Sequence, residues 1–473
     1  MAEDVRRMLI GGEWVTGAEN KRVTSPHSGE TIATVSSAGP DDLEAAINNA
    51  VLAKGKMRLL PRYELAACLR RISHSISSRK GEFTQSIVAE AAKPVANARG
   101  EVERAIATFS FAAGEAERFV GEVVPVDTQP AGKHKTAHTL RIPRGVVYGI
   151  TPFNFPLNLV AHKVAPALAS GNAIIVKPSD RTPLTALLLG EVFLESGLPK
   201  SALQVVPMDV KHIEPVYTDP RVNMISFTGS DKVGWQIKEK AYKKFVTLEL
   251  GGNASVIVDE TADTEDSLKK CLTGAFAYSG QVCISVQRVF VHEKHHAKWL
   301  DEFAKRAVEL QKGDPADEDT KLGAMIDEDA AKRAEAWINE AVDHGARLVC
   351  GGRRDGKMLD ATVLTNTSPE MHIVSEEAFA PLAVVEPFSQ FSDAVEMANH
   401  GRFGLQCGVF TKSLDNAGFA AENLEYGGVI MNDVPTFRVD NMPYGGVKDS
   451  GFGREGVRYA MEEMTEIRLI VSD

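Results

Sequence analysis

Apolar positions over the first 120 residues recur mainly at helical spacing. Pro40-Asp41-Asp42 reads as a helix start, and Leu43, Ala46, Ile47 and Ala50 then fall on one face. A second helical stretch begins near Arg62 and a third covers about 97–119, so the pattern predicts a mostly helical opening. From Val123 to Pro143 the character changes. Pro125, Pro130, Gly132 and Pro143 punctuate a polar segment that alternates over 136–142, which predicts an extended hairpin protruding from a domain.

From Gly145 onward short apolar runs alternate with helical stretches. The runs fall at 146–150, 173–176, 203–206, 223–227 and 245–248, with helices at 183–196 and 231–240 among those between them. A second series has runs at 255–258, 286–291, 347–349, 382–385, 406–410 and 428–431. Helices near 264–278, 295–311, 328–344 and 392–399 separate these. Short apolar strands interleaved with helices predict an α/β fold with parallel sheets covered on both faces. The break between the two series lies near Gly251-Gly252, and no internal repeat or low-complexity tract is present.

Composition narrows the function. A chain of 473 residues suggests two or three domains. Lys plus Arg number 53 against 64 Asp plus Glu, a formal charge of 53 − 64 = −11. That balance argues against nucleic-acid and anionic-membrane partners, which select basic patches. The five cysteines (Cys68, Cys271, Cys283, Cys350 and Cys407) include no CxxC pair. A disulfide framework and a structural metal site are therefore not expected, and a reducing, cytoplasmic location is. The N-terminus shows no apolar core of signal-peptide length, and no run approaches the ~20 residues of a membrane span.

Several short segments carry candidate chemistry. Ser279-Gly280-Gln281-Val282-Cys283 sets a cysteine after a glycine, between a helical run and a β-run, where a thiolate can attack a carbonyl. A lone cysteine is more often a small buried hydrophobe, so this segment alone leaves both readings open. Leu248-Glu249-Leu250-Gly251-Gly252-Asn253 ends an apolar strand on a carboxylate at the edge where α/β sheets bind ligands. Burial there would raise the pKa of Glu249 toward that of a general base; the alternative is a strand-end charge in solvent. Thr151-Pro152-Phe153-Asn154-Phe155-Pro156 holds an uncharged amide donor in a rigid turn, suited to an oxyanion or simply to local backbone. Lys177-Pro178-Ser179-Asp180 offers a cation and a carboxylate for ribose hydroxyls, and Asp180 would disfavour a 2′-phosphate. Gly229 and Ser230 precede a helix and suit a pyrophosphate, although no GxGxxG fingerprint occurs. Glu376-Glu377-Ala378-Phe379-Ala380-Pro381 adds a carboxylate and an aromatic; turn chemistry and solvated charge are the alternatives for all three.

Taken in order, PFNFP, KPS, FTGS, LELGG, GQVC and EEAFAP resemble the aldehyde dehydrogenase superfamily. The resemblance runs from Ile10-Gly11-Gly12-Glu13-Trp14 to Pro443-Tyr444-Gly445-Gly446-Val447-Lys448-Asp449-Ser450-Gly451. It implies a Rossmann-like dinucleotide-binding domain over 1–122 and 145–250 and an α/β catalytic domain over 251–445. It further implies a small β oligomerisation element from 123–144 and 461–473, a return segment at 446–460, and a homodimer or homotetramer. It makes Cys283 the nucleophile, Glu249 the base for a hydrolytic water, and Asn154 with the Cys283 N–H the oxyanion site. Ile150, Thr151, Lys177, Ser179, Asp180, Gly229, Ser230, Val233, Leu250, Gly251, Glu377 and Phe379 match cofactor positions. The implied cofactor is NAD, with NADP as the alternative, because Asp180 is one methylene shorter than the usual glutamate. Met208 and Ala380 also stand where glycine is usual.

The implied reaction takes a small aldehyde to its carboxylic acid through a cysteine thiohemiacetal and thioester. Members that transfer the acyl group to coenzyme A generally lack the glutamate, so Glu249 favours hydrolysis. The 436–444 segment and 158–163 are similar to a branch with lactaldehyde, non-phosphorylating glyceraldehyde-3-phosphate and phosphonoacetaldehyde dehydrogenases. Arg438 and His162 would then meet an anionic or hydroxylated substrate; for Arg438 a surface or subunit-interface salt bridge is the alternative. Ser110 stands where phosphate-binding members carry an arginine. The expectation is therefore a hydroxyaldehyde such as lactaldehyde, with glyceraldehyde 3-phosphate, phosphonoacetaldehyde or succinic semialdehyde as alternatives. A catalytically silent binding protein is the reading from another class, and the presence of Cys283, Glu249 and Asn154 together argues against it.

Overall fold

The computed structural model describes residues 5–473. Its first sheet has eight strands, ordered Gly451–Phe452, Phe245–Glu249, Met224–Thr228, Val146–Ile150, Ala173–Lys177, Leu203–Val205, Met8–Ile10 and Glu13–Val15. The five central strands are parallel, and antiparallel pairs close both edges. Strands Val146–Ile150 and Ala173–Lys177 are buried throughout, because helices cover both sheet faces and leave no position for a solvated side chain. The register pairs Ile150 with Lys177 and Thr228 with Glu249, so four strand ends converge on one edge.

The second sheet has seven strands: Arg347–Cys350, Thr362–Thr365, Leu382–Phe388, Val286–His292, Ala254–Val258, Gln406–Phe410 and Gly428–Met431. Only the Arg347–Cys350 pairing is antiparallel. Trp299, Phe303 and Phe276 stack in its core, with centroids 4.7 and 5.7 Å apart. A third sheet pairs Thr136–Pro143 along its length with Thr465–Ser472, and with Val123–Val124 at two positions only. The extended segment thus finds its main partner at the far end of the chain.

Three elements depart from the sequence pattern. Residues 5–37 form short strands (Val5–Arg6, Met8–Ile10, Glu13–Val15, Glu19–Thr24, Thr31–Ser37), not helix. Glu19–Thr24 is mostly exposed and polar, so its period-2 signal is weak. Helix Lys80–Ala91 separates Arg62–Ser78 from Val95–Arg118; Ala92 (φ 49°) and Lys93-Pro94 break the chain between the last two. Helix Asn158–Ala169 is buried at all twelve positions and contains Pro166, so no polar face marks it.

Candidate active site

Helix Thr264–Phe276 ends in a strained turn. Tyr278, Ser279 and Gly280 take φ of 49°, 52° and 69°, and two of these are not glycine. The strain is held by hydrogen bonds from Tyr278 Oη to the Ala91 carbonyl (3.0 Å) and from Ser279 Oγ to the Gly323 carbonyl (2.8 Å). At Gly280 a Cβ would lie 2.0 Å from the Ala380 carbonyl oxygen, so only glycine fits. The turn delivers Cys283, half-buried, with its Sγ 3.0 Å from the Tyr444 hydroxyl. Burial pushes the thiol up to about 11, while the Tyr444 hydrogen bond and the Arg438 charge pull the other way.

Asn154, Glu249 and Cys283 line one cleft of about 840 Å³. Asn154 is buried and donates one amide hydrogen to the Gln281 carbonyl (2.9 Å), which ties the Pro152–Pro156 turn to the cysteine turn. The amide carries two hydrogens, so the second is free for a ligand. Glu249 is buried, and neither carboxylate oxygen has a hydrogen-bond partner among the described residues. Burial first, and then the Glu455 charge, hold its pKa well above the usual carboxylate range. Glu455 itself is held low, against its burial, by Lys163 (3.1 Å), His162 and Arg438 (3.4 Å). The two buried carboxylates are thus pushed in opposite directions, Glu249 up and Glu455 down.

The same cleft is also lined by Gly229, Ser230, Leu250, Gly251, Glu377 and Phe379. Ser230 precedes helix Asp231–Lys240 without capping it, so the first-turn N–H groups are free for an anionic group. Glu377 accepts from the Gly252 N–H (3.0 Å), and burial raises its carboxyl to about 7. A Cβ on Gly252 would sit 2.5 Å from the Cys283 carbonyl oxygen, and one on Gly251 2.3 Å from the Glu377 carboxylate. Phe379 (φ 50°) packs edge-on to Phe153 at 5.8 Å. An uncapped helix, close-approach glycines and a carboxylate therefore fit a dinucleotide. Ile150, Thr151, Lys177, Ser179, Asp180 and Val233 do not line this cleft. Ile150 and Lys177 end adjacent strands, the Thr151 N–H donates to the Lys177 carbonyl (3.2 Å), and Val233 is exposed. Asp180 pairs with Lys177 (3.0 Å) and also with Lys21 (3.1 Å), a partner that no motif points to.

Behind Cys283, His162 is buried and the Arg438 side chain is only 6% exposed, so its guanidinium is not a surface group. Its guanidinium lies 3.6 Å from the Tyr444 ring centroid, its one ion pair is the 3.4 Å contact to Glu455, and its Nε has no partner among the described residues. His162 Nε2 meets Asp440 Oδ1 at 2.7 Å. Asp440 also takes hydrogen bonds from Arg104 (2.7 and 3.2 Å) and Asn158 (3.0 Å). Although burial opposes it, His162 and Arg104 hold the Asp440 carboxyl below the usual range. Ser110 is exposed, and the arginine that Val95–Arg118 sends to Asp440 is Arg104. The residues that sequence motifs did not reveal are Arg104, Lys163, Asp440, Tyr444 and Glu455. Among the described residues no group of three or more His, Cys, Asp or Glu is placed to hold a metal ion, and no helix is long and apolar enough to cross a membrane.

A model of the aldehyde dehydrogenase family matches residues 14–470. The chain belongs to that family. It is therefore an NAD(P)-dependent oxidoreductase acting on aldehydes. The 3-sulfolactaldehyde dehydrogenase of Priestia megaterium is 42% identical over 466 residues, covering 98% of this chain and 97% of the relative. Aldehyde dehydrogenase 21 from Physcomitrella patens, solved with the reaction product succinate, superposes with a TM-score of 0.98 at 40% identity, covering 100% of this chain and 99% of that one. Glyceraldehyde-3-phosphate dehydrogenase GapN from Methanocaldococcus jannaschii, complexed with NADP, gives 0.92 at 37% identity over 96% of this chain and 99% of its own.

Proposed function

We propose that this aldehyde dehydrogenase oxidises a short aldehyde with an anionic far end to the free carboxylic acid, with Cys283 as nucleophile. The observation that carries the reading is the convergence of Cys283, Asn154 and Glu249 on one cleft. The Cys283 thiolate adds to the aldehyde carbon, and the new oxyanion takes the second Asn154 amide hydrogen and the Cys283 N–H. The nicotinamide supplies the hydride acceptor, which leaves a thioester on Cys283. Glu249, as carboxylate, takes a proton from the water that attacks this thioester, releasing the acid and the thiol.

Arg438 supports the choice of substrate class. A buried guanidinium with one distant carboxylate is under-paired, and a substrate anion would complete it. Sulfolactaldehyde and succinic semialdehyde are both short and end in an anion, and the first keeps the lactaldehyde skeleton. The sheet of Thr136–Pro143 and Thr465–Ser472 exposes Ile467, Leu469 and Val471, which supports its use in a homodimer or homotetramer. The direct test of the nucleophile is Cys283→Ala, expected to abolish NAD(P)H formation while cofactor binding stays within about twofold. Undiminished turnover would overturn the assignment.

A further inference from the structure

One fully buried cation has no part in the chemistry just described. Lys93 lies in the break between helices Lys80–Ala91 and Val95–Arg118, and its side chain has no exposure. Its Nζ pairs with Glu101 Oε2 at 2.5 Å. It also sits over two aromatic rings, 3.6 Å from the Phe155 centroid and 4.5 Å from that of Tyr278. These rings belong to the two segments that must meet for the oxyanion site to exist. Phe155 follows Asn154, and Tyr278 opens the strained turn that leads to Cys283. Glu101 completes the link. Its other oxygen accepts the N–H groups of Leu157 (2.8 Å) and Asn158 (3.1 Å), which fixes the start of helix Asn158–Ala169 just after the Asn154 turn. The neighbouring Ala91 carbonyl accepts from the Tyr278 hydroxyl.

A lysine in such a place is expensive. Burial alone drives its pKa down, and the Glu101 charge opposes that. An apolar side chain could fill the same volume at lower cost, but it would not attract the faces of two rings and a helix-capping carboxylate at once. We propose that Lys93 is a positioning residue: held between Phe155 and Tyr278, it sets the separation of the Asn154 amide from the Cys283 turn. This rests on the roles given above to Asn154 and Cys283. A displacement of about 1 Å between reacting groups can cost on the order of 10²-fold in rate, so a part that touches no substrate can still govern turnover.

The test uses two variants. Lys93→Met with Glu101→Gln removes both charges together and keeps a carbonyl oxygen to cap Leu157 and Asn158, so no lone charge is buried. Lys93→Arg restores a cation. The double variant should fold, bind NADP within about twofold of wild type by titration calorimetry, and keep KM within about threefold. Its kcat and the rate of its pre-steady-state NADPH burst should fall roughly 10–100-fold, and Lys93→Arg should recover part of that loss. A folded double variant with wild-type burst rate would overturn the proposal. So would a parallel collapse of burst rate and cofactor affinity, which would assign Lys93 to general stability. Failure of the underlying chemistry would show separately, as turnover that survives in Cys283→Ala.

Discussion

Two arginines near the site, Arg402 lining the cleft and Arg438 behind Cys283, differ in their surroundings. Arg402, 35% exposed, lines the cleft and is surrounded by Asp231, Glu376 (2.5 Å) and Asp449 (3.4 Å). Arg438, 6% exposed, lies behind Cys283 with one carboxylate at 3.4 Å and an aromatic ring. The partly hydrated cation is fully paired by its own chain, while the dry one is not. Pairing in water is cheap to arrange and contributes little; an under-paired charge in a dry site is costly and persists where something else completes it. The same contrast separates the carboxylates. Glu377 accepts a backbone N–H, whereas both oxygens of Glu249 lack hydrogen-bond partners among the described residues. Glu249 and Arg438, both under-satisfied, act on the Cys283 thiol, where the chemistry is proposed.

The largest expected effect follows from Glu249. In Glu249→Gln the thioester should still form, while its hydrolysis slows by about 10²–10⁴, the usual scale of general-base help. A rapid-quench experiment would then show one equivalent of NAD(P)H per site and an acylated protein by intact mass. Steady turnover at the wild-type rate would remove Glu249 from the mechanism.

A smaller effect concerns pH. Because burial raises the Cys283 thiol to about 11, the protonated form dominates at neutral pH and the thiolate grows as pH rises. Alkylation of Cys283 by iodoacetamide in the absence of cofactor should therefore speed up nearly tenfold per unit between about pH 7 and 9. A plateau within that window would mean that Tyr444 and Arg438 outweigh burial. The smallest effect is expected at the paired arginine. Arg402→Gln should shift stability by under about 1 kcal/mol in urea unfolding, since half-exposed ion pairs are worth little. A loss several times larger would break the contrast between the two arginines.

The contrast also explains what could be read from the chain. Asn154, Glu249 and Cys283 each sit in a short run whose local chemistry is visible: prolines around an amide, a carboxylate ending an apolar strand, a glycine before a cysteine. Strand positions after Gly145 follow the apolar runs for the same reason, as at Val146–Ile150 and Ala173–Lys177. The network behind Cys283 has no such signature. Lys163 and Glu455 are 292 residues apart, and Arg104 and Asp440 are 336 apart; only folding makes them neighbours. Helix Val95–Arg118 turns Ser110 to solvent and sends Arg104 to Asp440, a pairing no local run announces. Helix Asn158–Ala169 escaped because burial on every side erases the periodicity that reveals a helix.

The reading of Arg438 as the receptor for the substrate's anionic end is tested most directly by one ratio. The kcat/KM for succinic semialdehyde should be divided by that for butanal, which has the same four-carbon chain without the carboxylate, in wild type and in Arg438→Met. Loss of a charge-assisted contact should lower this ratio roughly 10–100-fold in the variant, because any effect of Arg438 on Cys283 or Glu455 touches both substrates alike and cancels. A ratio that stays the same in the two proteins would contradict the account and leave Arg438 as a support for Glu455 and Tyr444 alone.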